Sequence, residues 1–391
     1  MITSHILMKL FFFLIPHYFS LIFNYECEAP LKAPPTVENG KLSQIIVLTR
    51  HGFRAPFDTY NNFTSSDWVC DDKNSPAPPY HSYHSPKHRL FHAKRDESNL
   101  LYKPSCNKAE LTIGGQKQHY ELGKFYHKYL IVQLGFLEKY FDKEAMKFRT
   151  SSPDRCIKSG ISFINGLYPS ESREEIVNLI TGTDATEILH PRPELCNDIN
   201  NMWEKWTKSQ DYIDNKKKAE PFLRELIEKS GLDWNYEYNW LWVGDWLYTI
   251  GCCSNAQNKF PEFISQEQLD VAIKAVEFFT LKFFQYQRGV AGATIIREVL
   301  NIIDQTISLE SNNKFTLLSA HDVSIVSAAA LLGVNLEKIP PFRSHMSFEK
   351  WQVGNGFYIR VVLNGKVIVE PIPYIKFRQM VLPYLHFCII Q

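Results

Sequence analysis

The sequence predicts an α/β domain built on a mostly parallel sheet flanked by helices, with a mainly α-helical subdomain inserted into it. Two short apolar runs, 45–48 and the similar 315–318, which includes Thr316, fit strands buried on both faces of such a sheet. Between them, apolar residues recur at three- and four-residue spacing, as at Leu122, Phe125, Tyr126, Tyr129 and Leu130. Strands alternating with amphipathic helices of this kind cover a sheet on both faces. At 391 residues and 45% apolar, the chain can bury one large core or a main domain with a substantial insertion.

In chain order, residues 1–29 read as a signal peptide. Met8-Lys9 precede an apolar stretch, 10–23, that Pro16 and His17 interrupt. This is shorter than the roughly 20 residues a membrane helix needs, and the cut is placed loosely between 24 and 29. Residues 40–184 form the first part of the α/β domain. Within it, 57–110 is rich in Pro, Asn, Ser, Tyr and His without periodicity, and reads as a surface insertion. Residues 185–262 carry Trp203, Trp206, Trp234, Trp240, Trp242 and Trp246 among charged residues. They read as the helical subdomain, with the tryptophans in its core. Residues 263–391 complete the α/β domain, with helical signals over 266–308, the second apolar strand, then alternation over 346–369. Gly354, Gly356 and Gly365 punctuate that stretch as turns between closing strands. The apolar tail, 380–391, is too short to span a membrane and reads as a packed final segment.

Lys plus Arg number 43 and Asp plus Glu 42, a net charge of +1 that gives no reason to expect nucleic-acid binding. Any anion site must come from local clustering. No H-E-x-x-H or clustered Asp pattern is present, so neither a metal nor another cofactor is expected. None of the eight cysteines forms a C-x-x-C pair, which favours disulfides in an oxidising compartment. Cys70 and Cys106 bracket one loop-like stretch and are the expected bridge. A cut after Cys27 would leave seven cysteines and one unpaired thiol. Asn62-Phe63-Thr64 is a candidate N-glycosylation acceptor. These features point to a secreted protein or to the lysosomal or vacuolar lumen.

The densest chemistry is Arg50-His51-Gly52-Phe53-Arg54-Ala55-Pro56, directly after the first buried strand. Ligands of open α/β sheets bind outside the carboxyl ends of strands, so a nucleophile and an anion clamp stand where a ligand is expected. Gly52 would let the backbone turn and approach that ligand, and Pro56 would fix the chain's direction. A second piece, Ser319-Ala320-His321-Asp322, ends the other buried strand and precedes a helix over 323–333. A third is Arg149-Thr150-Ser151-Ser152-Pro153-Asp154-Arg155. There Ser152 is the expected helix cap with Pro153 in the first turn, which puts Arg155 beside free backbone donors.

Arg-His-Gly-x-Arg-x-Pro, complete at all five fixed positions, resembles the signature of the histidine acid phosphatases. That branch includes the prostatic and lysosomal acid phosphatases and the phytases. The resemblance extends to His321-Asp322 and to an Arg-Ser-x-x-x-x-Arg pattern matched at Arg149 and Arg155, with Thr150 in place of Ser. It runs roughly over 43–370 and is weakest in 57–110. It implies a phosphoglycerate-mutase-like fold and hydrolysis of small-molecule phosphate monoesters through a phosphohistidine on His51. Arg50, Arg54, Arg155 and His321 would hold the phosphate, and Asp322 would protonate the leaving oxygen. Arg149 is a weaker candidate with a structural role open to it. A homodimer is an expectation from the resemblance alone. The clustered guanidiniums would disfavour the imidazolium and keep His51 nucleophilic in acid.

Three alternatives share parts of this pattern. An inositol polyphosphate phosphatase or phytase would need further cations, which Lys87, His88, Arg89, His92, Lys94 and Arg95 could supply. A cytosolic mutase or bisphosphatase conflicts with the leader segment, the cysteines and the Arg-x-Pro continuation. A secreted binder of phosphorylated ligands would be expected to have lost the nucleophile or the acid, and both remain.

Overall fold

In a computed structural model of the chain, residues 21–57, 68–70, 106–169, 177–183, 186–236, 238–252, 260–261 and 263–389 are described. The candidate acceptor Asn62, the basic run 87–95, Cys253 and most of the leader lie outside these residues. Seven strands form one sheet: β1 (Gly40–Arg50), β2 (Met146–Thr150), β3 (Ile180–Thr181), β4 (Phe315–Ala320), β5 (His345–Val353), β6 (Gly356–Leu363) and β7 (Lys366–Pro373). Their order is β3-β2-β4-β1-β5-β6-β7. The half from β3 to β1 is parallel, and β5 to β7 continue it as the antiparallel strands expected over 346–369. β4 is buried along its whole length, and its two hydroxyl residues find partners there, Thr316 donating to Asn313 Oδ1 and Ser319 to Cys156 O.

The helices are α1 (Ile113–Tyr126), α2 (Asp154–Leu167), α3 (Asn197–Trp206), α4 (Gln210–Lys229), α5 (Asn239–Cys252), α6 (Gln266–Glu277), α7 (Phe284–Tyr286), α8 (Ala293–Ile307), α9 (Asp322–Leu331) and α10 (Tyr374–Val381). One core packs Leu122, Tyr126 and Phe163 of α1 and α2 against Ile45, Val47 and Leu317 of the sheet. Another packs Ile295, Ile296 and Val299 of α8 against Ile46, Leu48 and Leu318. The alternate residues of β1 thus feed opposite faces, as a strand's period of two dictates. A third core belongs to the helical layer, where Trp206, Trp234, Trp240 and Trp246 are buried. That core continues across position 262 into Leu269 and Ile273 of α6.

Among the described residues three disulfides link Cys27 to Cys252, Cys70 to Cys106 and Cys196 to Cys388, and Cys156 is a buried free thiol. The Cys70–Cys106 pair is the one expected from the loop that it brackets. The Cys27 bridge survives only a cut made ahead of Cys27, at the early end of the 24–29 window. The C-terminal segment packs as expected, with Cys388 anchored and Arg297 donating to the carbonyls of Leu385 and Phe387. Among the described residues no helix is long and apolar enough to cross a membrane.

Candidate functional site

Register builds the site. β1 and β4 pair in parallel with Arg50 opposite Ala320, so His51 and His321 leave the sheet side by side. The His51 amide donates to Ala320 O at 3.0 Å, and the two imidazole centroids are 5.6 Å apart. β2 ends on the other side of β4, where the Ser151 amide donates to Ser319 O at 2.9 Å. Three adjacent carboxyl ends therefore bring the three sequence fragments to one edge.

The loop after β1 is clamped rather than free. Its Phe53 amide donates to Gln118 Oε1 (2.8 Å), and His119 Nε2 donates to Arg50 O (2.9 Å). A Cβ on Gly52 would lie 2.3 Å from Gly115 O, and one on Gly115 would lie 2.2 Å from Phe53 O. Gly52 therefore serves the close packing of this loop on the first turn of α1, a role the sequence did not disclose. Thr112 caps that helix, its hydroxyl accepting from the Gly115 amide.

His51 is buried, and its Nδ1 stands 2.9 Å from its neighbour's carbonyl, Gly52 O. A carbonyl only accepts, so the proton sits on Nδ1 and Nε2 keeps its lone pair. Burial, then the charges of Arg155, Arg54 and Arg50, hold the imidazole well below its usual titration range. A neutral nucleophile is the result.

The cations are preset by the protein. Arg50 donates to Pro340 O (2.5 Å), pairs with Asp322 Oδ2 (3.0 Å) and lies 4.0 Å over the Phe342 ring. A single nitrogen of Arg54, Nη2, donates to both Asp245 oxygens at 2.7 and 2.9 Å, and the guanidinium lies 4.2 Å from the Phe57 ring centroid. Arg155, in the first turn of α2, reaches the same ring, and its Nε has no hydrogen-bond partner. The cap of that helix is Pro153 in an extended conformation, not Ser152 as expected. The Ser152 amide is instead taken by Glu187 at 2.9 Å. Arg149 points elsewhere, 3.8 Å from Glu298 on α8, and lines no part of the pocket. Asp322 begins α9, partly exposed, with Oδ1 accepting from the Val323 amide at 2.8 Å.

Arg50, His51, Arg54, Arg155, His321 and Asp322 all line one cavity of about 420 Å³. Sequence reasoning missed several of its other members. The His190 ring lies 4.2 Å from that of His321, tilted against it, and is pushed down to about 3 by burial and by Arg155. Asp245, the partner of Arg54, is the one charged residue in the otherwise apolar and polar-neutral α5, a signal available in the sequence. The tryptophans divide: four are core, but Trp203 and Trp242 line the cavity, half-buried. With Tyr238, Phe279 and Phe283 they make its far end aromatic. Trp203 stacks on Tyr238 at 4.7 Å and meets Phe283 edge-on at 5.2 Å.

A family model described as Histidine phosphatase superfamily (branch 2) matches residues 41–364. Among curated proteins, the chain is 22% identical over 363 residues to Counting factor 60 of Dictyostelium discoideum, covering 88% of this chain and 84% of that one. It is 21% identical over 363 residues to Lysophosphatidic acid phosphatase type 6 of Mus musculus, covering 88% and 78%. Prostatic acid phosphatase of Homo sapiens is 22% identical over 281 residues, covering 68% and 71%. Among solved structures, the apo form of Hafnia Alvei phytase matches with a TM-score of 0.59 at 14% identity, over 90% of this chain and 98% of that one. That match is a likeness of fold.

Proposed function

The chain belongs to branch 2 of the histidine phosphatase superfamily, and from that premise we propose that it is an acid phosphatase acting on phosphate monoesters through a phosphohistidine on His51. The observation that carries this reading is His51 Nε2, unprotonated and unengaged, inside a ring of three guanidiniums. Arg50, Arg54 and Arg155 neutralise the ester, and charge-assisted contacts fix its oxygens. Nε2 attacks phosphorus, the bond to the ester oxygen breaks, and Asp322 gives that oxygen its proton. Water then attacks the phosphohistidine, its proton passes to Asp322, and the bond from phosphorus to nitrogen breaks. The guanidiniums and His321 stabilise the equatorial oxygens in both steps.

The aromatic end of the cavity supports an ester whose organic part is apolar or aryl, since such walls reward apolar surface. One relative is named for such an ester, lysophosphatidic acid. A many-phosphate substrate would call for further cations: Arg192 also lines the cavity, and the basic run 87–95 lies outside the described residues. The three disulfides support an oxidising compartment, secreted or lysosomal.

The test is a substrate panel at acidic pH with quenching into alkaline denaturant, where a phosphorus–nitrogen bond survives, to trap labelled phosphate on the protein. Wild type should release phosphate and carry a transient, acid-labile label, and His51→Ala should do neither. Turnover in His51→Ala comparable to wild type would end this proposal.

A further inference from the structure

His321 makes its close side-chain hydrogen bond to a residue outside the cavity lining. Its Nε2 is 2.9 Å from Ser151 Oγ, and that hydroxyl is 2.8 Å from Glu187 Oε2. Glu187 also accepts from the amides of Ser152 (2.9 Å) and Leu189 (2.7 Å). Ser151 is 0%, His321 3% and Glu187 4% exposed, so water does not satisfy any of these groups in place of its partners.

Counting protons fixes the direction of the chain. An ionised carboxylate only accepts, so the single Ser151 proton goes to Glu187. The hydroxyl then turns a lone pair to His321, and Nε2 must carry hydrogen. Cys156 Sγ lies farther off, at 3.6 and 3.9 Å from the two ring nitrogens, and is closer to Ala320 O at 3.3 Å. Nδ1 of the neutral ring is left facing the backbone N–H of Ser324 at the start of α9, a donor that likewise calls for a lone pair on Nδ1 and no hydrogen.

We propose that Glu187, acting through Ser151, is a positioning pair that locks His321 in its Nε2–H form and so reserves Nδ1 for a phosphate oxygen. The identity of that anion rests on the phosphatase reading above. When a tetrahedral anion enters, Nδ1 takes one proton from solvent and donates it to an anion oxygen. The Nε2 proton stays on the ring, donated to Ser151 Oγ, and the Glu187 charge then faces an imidazolium across one hydroxyl. Burial, His190, Arg155, His51 and Arg54 all oppose that protonation. Glu187 and the arriving anion favour it. Removing the Glu187 charge should therefore make His321 gain its proton only at lower pH.

Sulfate is a suitable probe, because it neither titrates in the acidic to neutral range nor requires turnover. Calorimetry on the full chain should show sulfate affinity falling as pH rises, and Glu187→Gln should shift that fall to lower pH. Ser151→Ala should weaken sulfate about tenfold or more, the scale of lost support behind a ligating histidine, while Ser151→Thr should restore binding. In wild type labelled with ¹⁵N-histidine, with the resonance assigned through His321→Asn, His321 should carry hydrogen on Nε2 alone, and on both nitrogens with sulfate. An Nδ1–H tautomer in the free protein would overturn the proposal, as would Glu187→Gln binding sulfate like wild type at every pH. Should Ser151→Ala fail to fold, the wild-type tautomer still decides. A protein with this tautomer and sulfate profile but no hydrolysis would refute the enzymatic reading and leave the positioning pair standing.

Discussion

At the phosphate end of the cavity, Arg50, His51, Arg54, Arg155, His321 and Asp322 all lie within a few residues of a strand terminus. At the aromatic end, Trp203, Tyr238, Trp242 and Phe279 come from α3, from the approach to α5, from α5 itself and from the turn after α6. Sheet register positions the first set, and side-chain packing of helices positions the second. Backbone hydrogen bonds that fix a register do not tolerate small adjustments, because a one-residue slip reverses every side chain. Packed helices shift more readily when side-chain volumes change. Reaction chemistry and ester preference are thereby assigned to parts of the molecule that can vary separately.

The largest expected effect tests the phosphate end. His51→Ala should lower kcat by roughly 10⁴-fold or more, the scale of losing a nucleophile, while inorganic phosphate binding measured by calorimetry falls far less. A comparable loss from any substitution at the aromatic end would erase the contrast between the two. Asp322→Asn comes next. Asparagine is the better choice than alanine, because it keeps an acceptor beside buried Arg50, whereas alanine would leave that guanidinium without its neighbouring carboxylate and disturb the cradle itself. It should slow alkyl esters by about 10²-fold or more and aryl esters with good leaving groups much less, as a linear free-energy series would show.

Trp203→Ala sharpens the comparison from the other side. It should cut kcat/KM about tenfold for a long-chain or aryl phosphate, the worth of one well-packed ring, and leave glycerol phosphate nearly unchanged. Equal losses on both would mean that Trp203 supports the fold alone. The smallest effect is a shift in pH. His51 is held down first by burial and then by Arg155. Arg155→Met removes one repulsive charge, so the imidazole protonates more readily. The acid limb of the kcat/KM profile, where activity falls as pH drops, should move to higher pH. A shift to lower pH would contradict the charge arrangement at this end.

The same contrast explains what the sequence disclosed. Arg50 to Pro56 and His321-Asp322 were legible because a buried strand and the residues just past it form one short segment, and strand ends are where such sheets bind ligands. The antiparallel half of the sheet was legible through its turn glycines. The purpose of Gly52 was not, because its partner Gly115 is distant in sequence and only folding makes the two collide. Ser152 has the composition of a cap, yet Glu187 takes its amide from outside the local segment. His190 and Glu187 sit in an irregular stretch with no period to interpret, and reach the site through tertiary contacts. Trp203 and Trp242 share their spacing with core tryptophans, and period alone cannot say which ring faces a cavity.

Two of the three bridges moor opposite ends of the polypeptide to the helical layer: Cys27 holds Cys252 across 225 residues, and Cys388 holds Cys196 across 192. Closing stretches that long removes several kcal/mol of freedom from the unfolded chain, about 5 for each taken singly by loop entropy. The strand termini carry no such tether and owe their arrangement to backbone pairing. Thiol reductants should therefore blunt discrimination among esters before they abolish turnover of the smallest ones, so that the redox state of the surroundings becomes a dial on selectivity.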